Sequence, residues 1–206
     1  MEISLGGQGH DVAGHADHID HEGKVRLGML FYVIVDIMFA LFLISAYVFL
    51  RGVNVNNLWF PDGTNNIDVA QTTLLTGILV ASGLCFVLAH WAVRAGIGGL
   101  VKLGIVLAAI LWIVSIVMNI QYMGHLPFTV ANGGFACMYL FFTGYHIYHL
   151  LLGLMFVIGI TVRALQGRYT QDHHLGITTI GYYWYWVVLF GIIGYLLPLM
   201  LPGPLH

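Results

Sequence analysis

The sequence predicts an all-α membrane protein with five spanning helices. Of its 206 residues, 59% are hydrophobic and only 8% are charged, and the mean hydropathy is +0.88. An ordinary soluble domain carries about 25% charged residues, so this composition excludes that class. Five apolar stretches each reach the about 20 residues that a helix needs to cross a bilayer, and none alternates like a membrane barrel strand. They cover about residues 28–50, 70–93, 100–122, 134–162 and 177–201.

The first 26 residues form an acidic, histidine-rich tail that we expect to be disordered or loosely ordered. Residues 9–23 have too little apolar surface to fold alone. Their spacing is compatible with weak binding of a divalent metal, but it implies no fixed ligand geometry, and a solvated tail is the simpler interpretation. The tail lacks the basic start of a signal peptide, so we expect the first span to stay as an uncleaved anchor. Its histidines are His10, His15, His18 and His21.

The first predicted span contains the only acidic residue within any span, Asp36. It follows Arg26 by ten residues and precedes Arg51 by fifteen, which places it near the middle of the membrane. An ionised carboxylate there costs about 3 kcal/mol on insertion scales, so Asp36 should be protonated, paired or turned toward the bundle interior. Both a proton-relay role and a hydrogen-bonded structural role remain open.

The connections between spans predict a single compact bundle. The loop of residues 51–69 is the longest, and its Trp59 and Phe60 are expected to anchor at the membrane interface. The other connections are short, so consecutive helices are expected to pack as antiparallel neighbours. Cys85 and Cys137 both lie within spans and imply neither a disulfide nor a zinc site.

The fourth span carries FFTGYHIYHLLLG, with two histidines inside an apolar segment. His146 and His149 are three residues apart and share a helix face with Thr143. Because an unpaired polar group in hydrocarbon costs several kcal/mol, we expect Asp36 to hydrogen-bond to one of these histidines. His90 lies about 15 Å away in depth, so a bis-histidine haem is not predicted. Structural or relay hydrogen bonding is favoured over metal ligation.

The distribution of basic residues predicts the orientation. Six of the seven flank one side of the predicted membrane domain, which places the N-terminus in the cytoplasm and the C-terminus outside. These six are Lys24, Arg26, Arg94, Lys102, Arg163 and Arg168, and only Arg51 lies on the other side.

Motifs in the last two spans resemble haem-copper oxidase subunit III, the large accessory subunit of cytochrome c and quinol oxidases. TGYHIYH, residues 143–149, is similar to the family's T-G-F-H-G-x-H, and Gly153 follows at the family's distance. DHHLG, residues 172–176, and the YW pair, residues 183–184, correspond without a gap to the family's N-H-H-F-G and Y-W.

The resemblance covers nearly the whole chain after residue 26. In the first span, Asp36 stands at the place of the family's intramembrane glutamate. VAQTTLLTG, residues 69–77, resembles the start of the family's next helix, and Trp59 with Pro61 resembles its outer loop. The five-span form looks like the bacterial members, which implies the bacterial plasma membrane.

The chain departs from the family pattern at polar positions, so it looks like a divergent member. The family's W-H-F-V-D begins here at Trp184, and its histidine and aspartate are replaced by Tyr185 and Val188. A family glutamate is Thr178, and the glutamate that ends the third span is Gln121. Contacts made by these side chains in relatives cannot be transferred to this chain.

The resemblance implies a non-catalytic subunit without haem or copper of its own. Such a subunit docks on catalytic subunit I, beside subunit II and small membrane subunits, in a complex that couples oxygen reduction to proton translocation. It stabilises the catalytic subunit and supports proton uptake. It folds into two helix groups, the first two spans against the rest, around a cleft that holds phospholipids. Candidates for contacting this cleft or a partner are Trp59, His90 and Trp184.

Three other functions remain open. An accessory subunit of a nitric oxide reductase would share every motif quoted above. A proton- or metal-coupled transporter would use Asp36 and the histidines, but it requires broken helices or internal repeats, which the sequence does not show. A membrane b-type cytochrome would need a haem-ligand pair. The sequence carries no motif for nucleic acid, for a phosphate loop or for an activated nucleophile. It also does not distinguish cytochrome c from a quinol as electron donor.

Overall fold

The computed structural model describes the backbone of residues 8–53, 59–60 and 67–201, with side chains from residue 22 onward. Within these ranges it contains five α-helices and no strand. All five helices are long and apolar enough to cross a membrane, which confirms the predicted fold class of a multi-pass membrane protein. The helices are α1 (Gln8–Val53), α2 (Val69–Arg94), α3 (Gly98–Gly124), α4 (Gly134–Leu165) and α5 (Leu175–Met200).

Helix α1 begins earlier than the sequence suggested. Its backbone is already helical from Gln8, where a disordered or loosely ordered tail was expected. The part of α1 that is apolar enough to cross the membrane is Glu22–Val53. The segment contains no proline to stop the helix, and Arg26 and Glu22 form an ion pair at 3.6 Å between successive turns. The tail's histidine side chains, and with them the weak metal interpretation, lie outside the described residues.

Local chemistry at the helix ends explains the short turns at the basic end of the bundle, the end that carries Arg94 and Arg163. After both α2 and α4 the chain reverses through a glycine in the left-handed region, Gly96 with φ of 74° and Gly167 with φ of 70°. In each turn the residue after the glycine donates its N–H to a carbonyl five positions back, which closes the helix end. At the opposite end, the Asp68 carboxylate caps the start of α2.

The packing order of the helices differs from the predicted grouping. In the described part of the chain, α2 packs against α3 and α5, α4 packs against α3 and α5, and α1 packs only against α4 and α5. Among the described residues α1 and α2 do not touch, so the prediction that the first two spans form one group, and that all consecutive helices are neighbours, is wrong. The long connection of residues 54–68 allows α2 to start away from α1, whereas the short turns do not allow such a separation.

An aromatic cluster fills the bundle at the opposite end. The Trp59 ring is only 2% exposed and packs edge-on against Tyr47 of α1, with ring centres 5.2 Å apart, and against Phe135 of α4, at 6.0 Å. Its carbonyl accepts the N–H of Phe135 at 2.9 Å. Trp59 therefore lies in the core and is not the interfacial or lipid-cleft anchor that the sequence suggested. Phe60, which packs on Phe135, is half-buried.

Candidate functional site

Asp36 lies where α1 meets α4 and α5, and it accepts hydrogen bonds from both of those helices. The carboxylate is buried, with the residue only 8% exposed. Its Oδ1 lies 3.1 Å from Nε2 of His149 and also accepts the hydroxyl of Tyr145, and its Oδ2 accepts the indole N–H of Trp186. The predicted contact between Asp36 and His149 is therefore confirmed. We call these four residues the Asp36 cluster.

Counting hydrogens shows that Asp36 and His149 share a proton. His149 Nδ1 lies 2.8 Å from the backbone carbonyl of Tyr145, which can only accept, so Nδ1 carries a hydrogen. Without a further proton, the lone pair of Nε2 would face a carboxylate oxygen. One proton must therefore lie between Nε2 and Oδ1, either as an imidazolium and carboxylate or as a neutral imidazole and carboxylic acid. In both forms the pair is neutral overall, which lowers its cost within the membrane.

The helix geometry of α4 orients this cluster. Tyr145 and His149 are four residues apart, so they lie on the same face toward α1. The Tyr183 hydroxyl of α5 donates to the His149 carbonyl at 2.6 Å and ties α5 to the same turn of α4. Reasoning from the sequence missed Tyr145, Trp186 and Tyr183 as partners. Each of these three side chains combines an aromatic ring with a hydrogen-bond donor, and that donor needs an acceptor when the ring is buried. This property was the available signal in the sequence.

His146 and Thr143 do not join Asp36. Residues three apart on a helix differ by about 60° around its axis, so His146 faces a different set of helices from His149. His146 and Thr143 instead line a cavity of about 60 Å³ between α2, α3, α4 and α5. The four polar residues that the sequence placed together thus belong to two separate sites.

Comparison with known proteins identifies the family. The sequence model of the family described as "Cytochrome c oxidase subunit III" matches residues 9–198. The chain belongs to the cytochrome c oxidase subunit III family. This confirms the resemblance seen in the motifs. Together with the five apolar helices, it supports a role as subunit III of a respiratory terminal oxidase.

Relatives named "Cytochrome c oxidase subunit 3" are similar over most of the chain. The protein of Marchantia polymorpha is 28% identical over 181 residues, which cover 84% of this chain and 67% of the relative. The protein of Triticum aestivum is 27% identical over 169 residues, which cover 79% of this chain and 63% of the relative. The protein of Latimeria chalumnae is 26% identical over 168 residues, which cover 80% of this chain and 64% of the relative. The chain thus spans about two thirds of the length of these subunits.

Two of the positions at which this subunit III family member departs from the family motif, Tyr185 and Val188, lie between α2 and α5. The Tyr185 hydroxyl, at the place of the family histidine, lies 3.2 Å from Nδ1 of His90. Val188, at the place of the family aspartate, packs against Gly83, where an added Cβ would lie 3.2 Å from a Val188 methyl group. Thr178 is buried. At Tyr185 and Val188 this chain therefore has a tyrosine–histidine contact and apolar packing in place of the family's histidine and aspartate.

Trp184 and His90 are not placed as the sequence suggested. Trp184 is 1% exposed and stacks on Phe86 with ring centres 4.5 Å apart, and Trp112 packs on it at the same distance. It is a core residue, so its assignment to a lipid cleft or partner interface is wrong. His90 is half-buried in the contact with Tyr185.

Metal ligation has little support in the described part of the chain. Within those ranges no group of three or more His, Cys, Asp or Glu side chains converges. Asp36 and His149 offer two donor groups, and both are already engaged in the hydrogen bonds described above.

Proposed function

We propose that this chain works as the non-catalytic third subunit of a respiratory terminal oxidase, beside a catalytic subunit that carries the haem and copper. The family match over residues 9–198 is the observation that carries this proposal. Reduction of oxygen and the coupled proton translocation take place in the partner subunits. The proposed location is a bacterial plasma membrane, with the basic end of the bundle toward the cytoplasm.

The Asp36 cluster is proposed to hold α1 on the bundle. Asp36 is the buried acceptor of α1, and its three donors come from α4 and α5. In the part of α1 whose side chains are described, Glu22–Val53, most of the other residues are exposed and largely apolar, including Val35, Met38 and Phe42, so lipid tails or a partner subunit cover them in the membrane. Fixing α1 in this way supports the proposed role of stabilising the catalytic subunit, which requires a rigid neighbour.

The shared proton of the cluster supports a second part of the proposal, assistance to proton uptake. Histidine commonly serves as a proton shuttle, so a pair that holds one proton between His149 and Asp36 can take part in a relay. The relay role and the structural role therefore differ in what they require. The relay needs a titratable side chain at position 36, whereas the structural role needs only its hydrogen bonds.

Purification of the complex through a tag on this chain tests the assignment. We expect subunits I and II, phospholipid, a haem absorption spectrum and oxygen consumption in the purified material. Reduction of nitric oxide in place of oxygen would assign the chain to the reductase alternative. Recovery of the intact chain from membranes without any haem-bearing partner would contradict the proposal and favour a transporter. A haem band from this polypeptide alone would favour a cytochrome.

The stabilising role has its own test. An oxidase isolated without this chain should start at nearly the normal rate and then lose activity during turnover faster than the complete enzyme. The Ser45→Ala complex is the matched control, because it keeps the chain and removes only a hydrogen bond within α1. Equal lifetimes with and without the chain would contradict a stabilising role.

A further inference from the structure

A second polar site lies within the bundle, apart from the Asp36 cluster. It is the cavity of about 60 Å³ lined by residues of α2, α3, α4 and α5, and it is partly open. Many of its lining side chains are polar although it lies in a membrane-spanning domain. These include Thr76, Asn119, Tyr139, Thr143, His146 and Tyr195. We call it the His146 cavity.

The His146 ring has hydrogen-bonding capacity that the protein does not use. His146 is only 8% exposed, and its Nδ1 has no hydrogen-bond partner among the described residues. Its other edge lies against Gly191, where an added Cβ would be 3.2 Å from Nε2. A buried polar atom left without a partner costs about 1–3 kcal/mol, which favours a hydrogen-bond partner for this ring, and the ring lines the cavity.

The size and chemistry of the cavity suit water. Cavities that stay dry are lined by apolar groups, whereas polar cavities with room for a molecule are hydrated. One water needs about 10–15 Å³ of such space, so this cavity has room for several. We propose that the His146 cavity holds a small cluster of water molecules that hydrogen-bonds to His146 inside the membrane.

The cavity lies in the half of the bundle opposite the basic end. Thr72 lies in the first turn of α2, and Tyr195 lies near the last turns of α5, both at the end opposite the basic residues. His146 lies twelve residues after the start of α4. At a rise of about 1.5 Å per residue, this places it about 18 Å from that end of the helix. The residues that line the cavity thus extend from near that end to about the middle of the bundle.

A phenylalanine separates this water from the Asp36 cluster. Phe190 is buried, and its ring centre lies 6.0 Å from that of His146 and 5.3 Å from that of Tyr145. The two histidines of the fourth span therefore have different environments. His149 is held by protein groups, and His146 is held by water.

Hydroxyl-radical footprinting of the complete complex tests this proposal, because radicals generated by X-rays form from water and modify the side chains next to it. We expect Tyr139, Phe142 and His146 to be oxidised several-fold faster than Phe86 and Trp112, which are fully buried in the apolar core and do not line the cavity. Rates for the cavity residues as low as those for Phe86 and Trp112 would overturn the proposal.

A filled cavity gives a second readout. A Cβ added at Gly194 meets no atom within 4 Å, so Gly194→Val places its methyl groups in the cavity without a clash at Cβ. Oxidation of His146 should then fall several-fold. Gly159→Val is the matched control, because its Cβ also meets nothing and it lies on the exposed face of α4. An unchanged rate in Gly194→Val, or an equal fall in Gly159→Val, would contradict hydration of the cavity.

Discussion

The junction of α1 with α4 and α5 and the junction of α2 with α3 are held together by different chemistry. Between α2 and α3 the backbones approach closely, since a Cβ added at Gly104 would lie 2.9 Å from the Ala89 Cβ. Helix α1 instead relies on polar contacts, those of the Asp36 cluster and the Tyr47 hydroxyl, which donates to the Leu201 carbonyl at 2.9 Å. Lipid tails leave little hydrophobic force between helices, so each junction needs either close packing or hydrogen bonds, and this molecule uses both.

The largest expected effect comes from removing the carboxylate of α1. Asp36→Leu leaves the Trp186 indole N–H, the Tyr145 hydroxyl and His149 without their shared acceptor. Each buried polar group left without a partner costs about 1–3 kcal/mol, and three are left here, so the total is several kcal/mol. The midpoint of detergent-induced unfolding should fall accordingly, and α1 should become accessible to protease before α2 and α3. A midpoint equal to that of the wild type would show that the polar contacts do not hold α1.

The next effect is expected at the close-packed junction. Gly104→Val forces methyl groups against Ala89 and against the Cys85 carbonyl, which lies 3.0 Å from the added Cβ. Such overpacking costs about 1–3 kcal/mol. The same unfolding measurement on Gly99→Val provides the control, because a Cβ at Gly99 meets nothing within 4 Å. Equal losses in both variants would refute the importance of close packing here.

A conservative change at Asp36 should have a small effect on stability. In Asp36→Asn, the amide oxygen can accept from Trp186, and the amide nitrogen can donate to His149 Nε2 and to the Tyr145 oxygen. We expect a loss of about 1 kcal/mol or less, as for one ordinary hydrogen bond. If proton uptake by the oxidase also falls, the relay role is supported. Unchanged proton uptake would restrict the cluster to a structural role.

The smallest effect concerns the hydrogen bond that supplements the close-packed junction. The buried Ser82 hydroxyl donates to the Ala108 carbonyl at 3.0 Å across α2 and α3. Hydrogen bonds between membrane helices average about 0.6 kcal/mol, so Ser82→Ala should destabilise by about that amount. Ser45→Ala removes only a bond to the Leu41 carbonyl within α1 and should have no measurable effect. A loss in Ser82→Ala as large as that in Gly104→Val would mean that hydrogen bonding dominates this junction as well.

The sequence predicted the helices well because membrane insertion depends on local composition. The lengths of the apolar stretches located all five spans, and the depth of Asp36 relative to the flanking arginines predicted its contact with His149. Depth along a helix follows directly from residue number at a fixed rise.

The neighbours around each helix were harder to predict, because they depend on rotation and on loop length. The grouping of the first two spans was wrong since the connection of residues 54–68 is long enough to separate them. His146 was assigned to Asp36 although a rotation of about 60° turns it toward the other helices. Trp59 and Trp184 were assigned to the periphery because a tryptophan at a membrane boundary and one in a core have the same sequence signature.

A double-mutant cycle between Asp36 and His149 tests the central claim, that a shared proton between these two side chains holds α1 to α4. Unfolding free energies of Asp36→Leu, His149→Leu and the double variant are compared with the wild type in the same detergent. We expect the double variant to lose much less than the sum of the two single losses, because the second change removes a group that the first has already left unpaired. Losses that add would contradict the claim.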